Sequence, residues 1–539
     1  MNDEATASGA GLDDEQFRRL ARYGVEEHAE AGHVLYATGD TAYDLLLLRT
    51  ATVDLVRDPT ASGPERLIFR GGPGDFLGEL NLLTGQNVYL TARVAVAGTV
   101  VRIVAPTLRR ILAEQGDIAD VLLQAFRTRR EVIRSAAGSA LEIIGRADDA
   151  AAIRLRTYVT QLLLPMSWLD AASMSGLALM SASGLDADDL PAALVNGSVL
   201  RHATPGGVAA ALGLTYRAGG SPVDLVVVGA GPAGLAAAVY GASEGLVTVL
   251  LDRSGLGGQA ATSARIENYL GFPEGISGEG LTRLAMMQAL KFGVRIHSPS
   301  AVTGLDLSQE HRPMVLLADG TRIETRAVIA ATGAHYRRLG VPGWAQHETG
   351  GCIRYAATEL DVRGHENEPV AVVGGANSAG QAALSLAGRG AAVDLILRGG
   401  DLGARMSSYL ADRIRVHPRI RIHTGADVRE LSGEGTLESI VIERGGRRER
   451  LGCRALFCFI GADPVSQWLA GITLDDKGFV LTDSRLPVGP AGSPLPFQTS
   501  APRVFAVGDL RSGSTKRVAT AVGEGASSVS SVHAVLATG

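Results

Sequence analysis

Three glycines and one aspartate carry the clearest chemistry in the sequence. Gly229, Gly231 and Gly234 stand as G-x-G-x-x-G, and Asp252 follows downstream. These types at these spacings suit a pyrophosphate. Gly229 permits a tight turn, Gly231 lets the backbone approach the phosphates, and Gly234 lets a helix pack close to a strand. A helix that starts at such a turn offers free N–H groups and the positive end of its dipole to anionic oxygens. An acid in the position of Asp252 accepts hydrogen bonds from a ribose. The chemistry is dinucleotide binding.

The surrounding residues supply the elements this needs. Leu225 to Val228 is an apolar run that reads as a strand buried on both faces. Leu235 to Glu244 is alanine-rich and reads as a helix, and Val247 to Leu251 is a second strand that Asp252 ends. The three form a βαβ unit. A second unit lies downstream. Pro369 to Gly374 is its strand, Gly374 to Ala379 its turn, Ala382 to Arg389 its helix, and Val393 to Leu397 its next strand, ending in Arg398. Here Gly374 keeps the first glycine, Ser378 and Ala379 end the turn, and Ala376 holds the middle position. A methyl group there pushes a pyrophosphate away. Near the C-terminus, Val504 to Val507 reads as another buried strand. Gly508 and Asp509 follow it, where α/β sheets bind ligands.

Size and composition bound the rest. A chain of 539 residues suggests three or four domains. A net charge of −5 does not suggest a nucleic-acid partner. Residues 1–14 are acidic and polar, with no secretory pattern, and no apolar run approaches a membrane span. A cytoplasmic protein with no membrane contact is expected. The three cysteines, Cys352, Cys453 and Cys458, form no C-x-x-C, and no metal site is expected. Cys453 and Cys458 read as parts of one strand, pointing to opposite faces, and all three read as small buried hydrophobes.

Residues 1–136 begin with a helix (Asp14 to Tyr23) and continue as regularly spaced short strands from Ala31 to Ala105. This suggests a β-roll, closed by helices at Pro106 to Glu114 and Asp117 to Arg134. Within it, Phe76 to Leu83 and Thr84 to Thr91 resemble the phosphate-binding cassette of cyclic-nucleotide-binding domains. Gly78 and Glu79 match that cassette. Val88 aligns with the arginine that pairs with the cyclic phosphate, and Arg93 lies at the wrong offset. The resemblance therefore implies the fold without cyclic-nucleotide binding. Residues 139–214 read as β-α-β-α-β-β-α. Leu141 to Ile144 and Ser167 to Leu169 are strands, Ala147 to Leu163 a helix, and Asn196-Gly197 a hairpin turn. This order resembles the thioredoxin/glutaredoxin fold and makes Pro191 its cis-proline. Its loop, Gly145 to Ala150, has no cysteine, so the unit cannot do thiol chemistry. The linker from Tyr216 to Pro222 follows.

Residues 222–539 resemble the low-molecular-weight thioredoxin reductases of the pyridine nucleotide-disulfide oxidoreductase family. Five segments stand in that family's order: the first turn with Asp252, Gly257 to Gln259, Arg265 to Pro273, Ala327 to Gly333, and Val504 to Asp509 with Ala521 to Gly525. The resemblance implies an α/β flavoprotein with two dinucleotide-binding domains, FAD at 222–340 and 459–539, and NADPH or NADH at 341–458. It implies that Gly229, Gly231, Gly234 and Asp252 hold the ADP half of FAD. Gly258, Gln259, Asn268, Thr332, Gly333, Gly508 and Val518 line the cofactor, and Asp509 bonds the ribityl chain. It also implies a homodimer. Lys516 and Arg517 replace an arginine–glutamine pair, where a cation would stabilise negative charge at the flavin N1/C2=O edge. The family's C-A-x-C falls on Ile353 to Leu360, with Ala356 and Glu359 at the cysteine positions. Disulfide exchange is impossible there.

Two functions fit. One is an FAD-dependent oxidoreductase fed by NAD(P)H or an organic substrate and drained by a non-disulfide acceptor. Tyr355, Glu359, Lys516 and Arg517 are its candidate catalytic residues, Glu359 as a base. The substrate and electron acceptor are not named by the sequence. The other is a regulatory flavoprotein that senses a ligand or redox state.

Overall fold

The computed structural model describes residues 11–537 apart from 41–42, 60–63, 79–80, 85–86, 137–140, 148, 163, 165, 196–197, 217–221, 264, 267, 310, 350, 356, 358–364, 435 and 487–493. Glu79, Ala356, Glu359 and the Asn196-Gly197 turn lie outside the described residues. Two compact units divide the chain: Met1–Gly333 with Val465–Gly539, and Ala334–Pro464.

The first unit opens with α1 (Asp14–Ala21), capped by Asp13, whose side chain accepts from the Glu15 and Gln16 N–H groups. Eight strands follow: β1 (Val25–Ala29), β2 (Val34–Tyr36), β3 (Leu45–Leu48), β4 (Thr52–Arg57), β5 (Arg66–Gly71), β6 (Phe76–Leu77), β7 (Thr91–Val96) and β8 (Gly98–Ile103). They make two four-stranded antiparallel sheets, ordered β1-β8-β3-β6 and β2-β7-β4-β5. All four leucines of β3 are buried, as a strand packed on both faces requires. Helices α2 (Asn81–Thr84), α3 (Ala105–Glu114) and α4 (Gly116–Ala136) complete this β-roll.

A four-stranded mixed sheet comes next. Its elements are β9 (Leu141–Gly145), α5 (Ala150–Gln161), β10 (Ser167–Asp170), α6 (Met174–Ala182), β11 (Ala192–Val195), β12 (Ser198–Leu200) and α7 (Pro205–Ala211). The order is β10-β9-β11-β12, with β10 parallel to β9 and β11 antiparallel to both neighbours. The Leu190–Pro191 peptide bond is cis. The helix expected from Ala147 starts at Ala150, because the Asp149 carboxylate accepts the Ala152 N–H (2.7 Å) and fixes the cap there.

The dinucleotide-binding sheet follows, with β13 (Val223–Val228), α8 (Pro232–Ser243), β14 (Thr248–Leu251), α9 (Gly278–Lys291), β15 (Arg295–His297), β16 (Val302–Asp306), β17 (Met314–Leu317) and β18 (Arg322–Ala330). Strands β15-β14-β13-β18 are parallel, and β17 and β16 extend them antiparallel.

The second unit carries β19 (Ala334–Tyr336), α10 (Trp344–Thr349), β20 (Ile353–Arg354), β21 (Pro369–Val373), α11 (Asn377–Gly388), β22 (Ala392–Leu397), α12 (Ser408–Arg415), β23 (Ile420–Thr424), β24 (Ala426–Ser432), β25 (Ser439–Arg444), β26 (Arg447–Gly452), β27 (Ala455–Cys458) and β28 (Ala462–Pro464). Its parallel sheet runs β20-β27-β21-β22-β23, and β24-β25-β26 form an antiparallel ribbon. Cys453 and Cys458 do not share a strand as the sequence suggested. The chain leaves β26 at Gly452 and enters β27 at Ala455, and both cysteines lie in one apolar core.

The chain then returns to the first unit through β29 (Val504–Ala506), which pairs in parallel with β18, and α13 (Val518–Ala537). Helix α13 lies along α8. Gly525 permits the contact, since a Cβ there would come 2.1 Å from Ala233 O. One apolar core runs through the β-roll, the mixed sheet and the dinucleotide-binding sheet without a break. Among the described residues no helix is long and apolar enough to cross a membrane.

Candidate functional site

The first glycine turn leaves β13 at Gly229, which holds φ +103° and donates its N–H to Leu251 O (2.7 Å). A Cβ there would fall 2.5 Å from Ala331 O. Gly234 is fixed by a different constraint, because its Cβ would fall 1.7 Å from Gly229 O. Helix α8 therefore leaves the strand as tightly as a backbone allows. Gly231 is the N-cap of α8, with φ −72° and ψ −179°, and no side chain caps the helix. A Cβ at Gly231 would meet nothing within 4 Å. The N-terminal N–H groups of α8 thus face open space beside a residue without a side chain, which is what an anion needs. Gly258 closes the opposite wall. A Cβ on Gly258 would come 3.2 Å from Gly231 Cα, and the Gly257 N–H donates to Ala230 O (2.7 Å).

Asp252 is half-buried at the end of β14. Its Oδ2 accepts the Ala230 N–H (2.8 Å), and its Oδ1 accepts those of Ser254 and Gly255 (2.9 Å each). The carboxylate clamps the first turn to the loop after β14. Of its four acceptor positions, one remains for a hydroxyl.

The end of β29 comes to the same place. Gly508 holds φ +70°, and a Cβ there would lie 2.9 Å from the Ala233 Cβ, in the first turn of α8. The Gly508 N–H donates to Glu524 Oε2 (2.7 Å). Glu524 is buried in α13 and takes a bidentate contact from Arg511 (Nη2–Oε1 2.6 Å, Nε–Oε2 3.2 Å) and a third from Ser514 Oγ (3.1 Å). No motif in the sequence singles out Glu524. Its signal was a charge on the apolar face of a helix, in line with Ala521, Gly525 and Ser528, which are all buried.

Lys516 is half-buried. Its Nζ donates to Asp509 O (3.4 Å) and lies 4.6 Å from the Phe479 ring centroid. Burial pushes the Asp509 carboxyl up and the Lys516 ammonium down, each opposed by the charge of the other. Arg517 is exposed, and Val518 is the half-buried first residue of α13. The Thr332 hydroxyl donates to Val465 O (2.6 Å) and accepts from Trp468 Nε1 (3.4 Å), and Gly333 holds φ +69°. Gln259 and Asn268 are exposed, with Asn268 in a loop closed by the Ile266–Ile276 bridge.

The second unit holds its own glycine turn. Gly374 has φ +143°, and a Cβ there would meet Phe459 O at 2.6 Å. Ala376 is the N-cap of α11, which no side chain caps. Asn377 Oδ1 accepts the Ser407 N–H (2.8 Å). Ala379 is buried, whereas Ser378 and Arg398 are exposed. Tyr355 donates its hydroxyl to Glu348 Oε1 and stacks on Tyr336 (centroids 4.8 Å apart, planes 11° apart). Burial, then the Glu348 bond, pushes the Tyr355 phenol up, so its oxygen stays a donor.

None of the three cysteines is in a disulfide. Burial pushes Cys453 and Cys458 each up to about 12. A thiol-reactive dye at pH 8 is expected to label no more than Cys352 in the folded protein, and all three after denaturation. Rapid labelling of a second thiol in the folded state would contradict these placements.

In the β-roll, Val88 is fully buried. Arg93 is half-buried and pairs with Glu65 (both contacts 3.1 Å). Arg129 on α4 donates to Gly78 O (3.1 Å) and lies 4.3 Å from the Phe76 ring centroid. Among the described residues no cluster of His, Cys, Asp and Glu could hold a metal ion.

Comparison with known proteins matches these pieces. The model of the pyridine nucleotide-disulphide oxidoreductase family matches residues 223–525, and that of the cyclic nucleotide-binding domain matches residues 26–115. A thioredoxin reductase of Peptoclostridium acidaminophilum is 32% identical over 312 residues, covering 56% of this chain and 93% of that protein. That of Mycolicibacterium smegmatis is 32% identical over 307 residues, with 56% and 93% covered. The solved thioredoxin reductase from Streptococcus pyogenes MGAS5005 superposes with a TM-score of 0.53 at 28% identity, covering 60% of this chain and all of that one.

Proposed function

Because this chain belongs to the pyridine nucleotide-disulphide oxidoreductase family, we propose that it is an FAD-dependent oxidoreductase whose flavin site receives electrons from NADPH, NADH or an organic substrate and passes them to a non-disulfide acceptor. The observation that carries this reading is the open face at Gly231, where an uncapped helix N-terminus meets a residue with no side chain. In this reading Gly229, Gly231, Gly234 and Gly258 cradle the pyrophosphate of FAD, and Asp252 turns its remaining acceptor position to the ribose. Gln259, Asn268, Thr332, Gly333, Gly508, Asp509 and Val518 line the rest of the cofactor. FAD supplies two-electron exchange between donor and acceptor.

The chain's own residues do the remaining work. The main chain of the first turn neutralises phosphate charge without a bulky cation. Lys516 offers the positive charge nearest to Asp509, and its partial burial strengthens that field. Arg517, exposed on the same turn, is a second cation open to a substrate. In the other unit, Gly374, Ser378, Ala379 and Arg398 are the residues proposed to meet a nicotinamide nucleotide. Arg398, exposed at the end of β22, suits a 2′-phosphate. Ala376 weakens that site, because its methyl stands where the pyrophosphate approaches. Tyr355 and Glu359 are proposed to line the space that a reactive cysteine pair fills in relatives of the thioredoxin reductase type.

The domain reading follows the same lines: FAD at 222–340 and 459–539, the nicotinamide nucleotide at 341–458, and a thioredoxin-like unit without thiols at 139–214. Full burial of Val88 supports a β-roll at 1–136 that binds no cyclic nucleotide. The regulatory alternative draws support from the single apolar core that ties both N-terminal modules to the flavin-binding sheet.

One experiment separates the two. The purified holoprotein is mixed anaerobically with NADPH and, separately, with NADH, while flavin absorbance is followed. Bleaching within milliseconds to seconds is expected for the enzyme. No bleaching with either nucleotide would leave a direct substrate oxidase or a sensor. Thioredoxin-coupled reduction of an aromatic disulfide is expected to give no turnover, and turnover there would overturn the non-disulfide reading.

A further inference from the structure

A residue of the N-terminal half bonds to the segment that runs beside Asp252. Tyr158 lies on α5, outside the part of the chain that matches the oxidoreductase family. It is 2% exposed, and its hydroxyl donates to Ser298 O at 2.7 Å in a fully buried contact. Ser298 stands in a short segment that brackets Asp252 on both sides. The Asp252 N–H donates to His297 O (3.1 Å), and the Ser300 N–H donates to Asp252 O (2.6 Å). The Asp252 carboxylate in turn holds the Ala230 N–H of the glycine turn. Tyr158 is thus one residue removed from the clamp on Asp252. The Ser298 hydroxyl is itself buried without a partner among the described residues. Tyr158 therefore provides a side-chain bond that holds this segment at Ser298.

The same segment is tied to the N-terminal half twice more. His297 Nδ1 lies 3.1 Å from Leu214 O, and the Tyr216 ring meets the His297 ring edge-on at 5.2 Å. Burial pushes the His297 imidazolium down, so the neutral ring donates its Nδ1–H to that carbonyl. Further back, Asn87 of the β-roll donates its N–H to Leu212 O (3.2 Å) and its Nδ2 to Ala211 O (3.3 Å), at the end of α7. Hydrogen-bonded contacts therefore connect the cassette exit of the β-roll, the end of α7, His297–Ser300 and Asp252.

We infer that Tyr158 is a positioning residue for the adenosine end of the flavin site, supplied by the N-terminal modules to set how tightly FAD is held. The inference rests on the reading of the Gly229 turn as an FAD site. It gives the modules a task that needs neither a cyclic nucleotide nor a thiol. A carbonyl that loses its buried donor relaxes toward other partners, and Asp252 moves with the segment on either side of it.

The test is Tyr158→Phe in the full chain, which removes one oxygen and keeps the ring. FAD is stripped from both proteins and titrated back by fluorescence, and the melting of each apo-protein is recorded separately. The dissociation constant is expected to rise about tenfold, with the apo-protein melting within a few degrees of the unaltered chain. A merely structural tyrosine would lower the apo-protein melting point and leave FAD affinity within about twofold, and that result overturns the inference alone. Failure of the unaltered chain to take up FAD would overturn the FAD reading, and the inference with it. If the variant does not fold, hydrogen exchange in the unaltered chain decides. FAD is expected to slow the amides of Leu212, Leu214 and Ser300, because a coupling between sites is reciprocal. No slowing at Leu212 and Leu214 would overturn the inference.

Discussion

A Gly231→Asp protein is expected to fold at least as well as the unaltered chain and to be purified without flavin. The two effects have opposite signs, and both follow from one position. Gly231 already has the backbone of a helix N-cap, with φ −72° and ψ −179°. Asp13 caps α1 from φ −74° and ψ 168°, so aspartate accepts this geometry within the same chain. A Cβ at residue 231 meets no protein atom within 4 Å. The new carboxylate would accept N–H groups of the first turn of α8, which no side chain now caps, and would favour the helix dipole. The gain is about 0.5 kcal/mol. Those N–H groups are the ones proposed to meet the pyrophosphate. The carboxylate would occupy them and add a negative charge against two more. Flavin content after purification is expected to fall at least about tenfold, a loss of about 1.4 kcal/mol or more in affinity. The checks are the ratio of flavin absorbance to protein and the melting temperature of the apo-protein. A variant that keeps its flavin would show that no phosphate approaches residue 231.

Gly234 provides the contrast. Its Cβ would collide with Gly229 O, so Gly234→Ala damages fold and cofactor together and cannot separate them. The three glycines look equivalent in a motif, but one is open to a ligand and two are closed by backbone.

That distinction marks what is legible in the sequence alone. The first turn, the strands around it and the second turn in the other unit were legible because their constraints are local. A strand of apolar residues, a glycine at positive φ and an acid at a strand end leave their mark within thirty residues. The β-roll was legible from the spacing of its turns. The remaining features depend on pairings across long stretches of chain. Asp252 was read as a ribose ligand, and its three backbone partners, at Ala230, Ser254 and Gly255, were invisible. The approach of Lys516 to Asp509 O and the Phe479 ring leaves no mark in the sequence. The break between β26 and β27 escaped notice because Cys453 and Arg454 carry no turn chemistry. Tyr158 gave no signal at all, since its partner Ser298 lies 140 residues away.

Arg511→Leu is expected to be strongly destabilising at the proposed flavin site. Arg511 and Glu524 form a pair whose side chains are 15% and 8% exposed. Among the described residues, removing the cation leaves Glu524 in the core with the Gly508 N–H and the Ser514 hydroxyl as its hydrogen-bond donors. Breaking a buried pair in this way costs about 3–5 kcal/mol. In a domain of this size that lowers the melting temperature by about 10 °C. The loss should also reach the cofactor. Glu524 holds the Gly508 N–H, and Gly508 seats the end of β29 against Ala233 in the first turn of α8. A loosened Glu524 frees Asp509 from its place beside that turn. The double variant Arg511→Leu/Glu524→Leu tests the mechanism rather than the site. Without the stranded carboxylate, more than half of the lost stability should return, because replacing both members of a buried pair by apolar groups is often close to neutral. Flavin affinity should stay low in the double variant, since there the Gly508 N–H has lost the Glu524 carboxylate that accepts it. If the double variant melts no higher than Arg511→Leu, the cost lies in lost packing of Arg511 against Phe497, 5.5 Å from its guanidinium, and not in an unpaired buried charge.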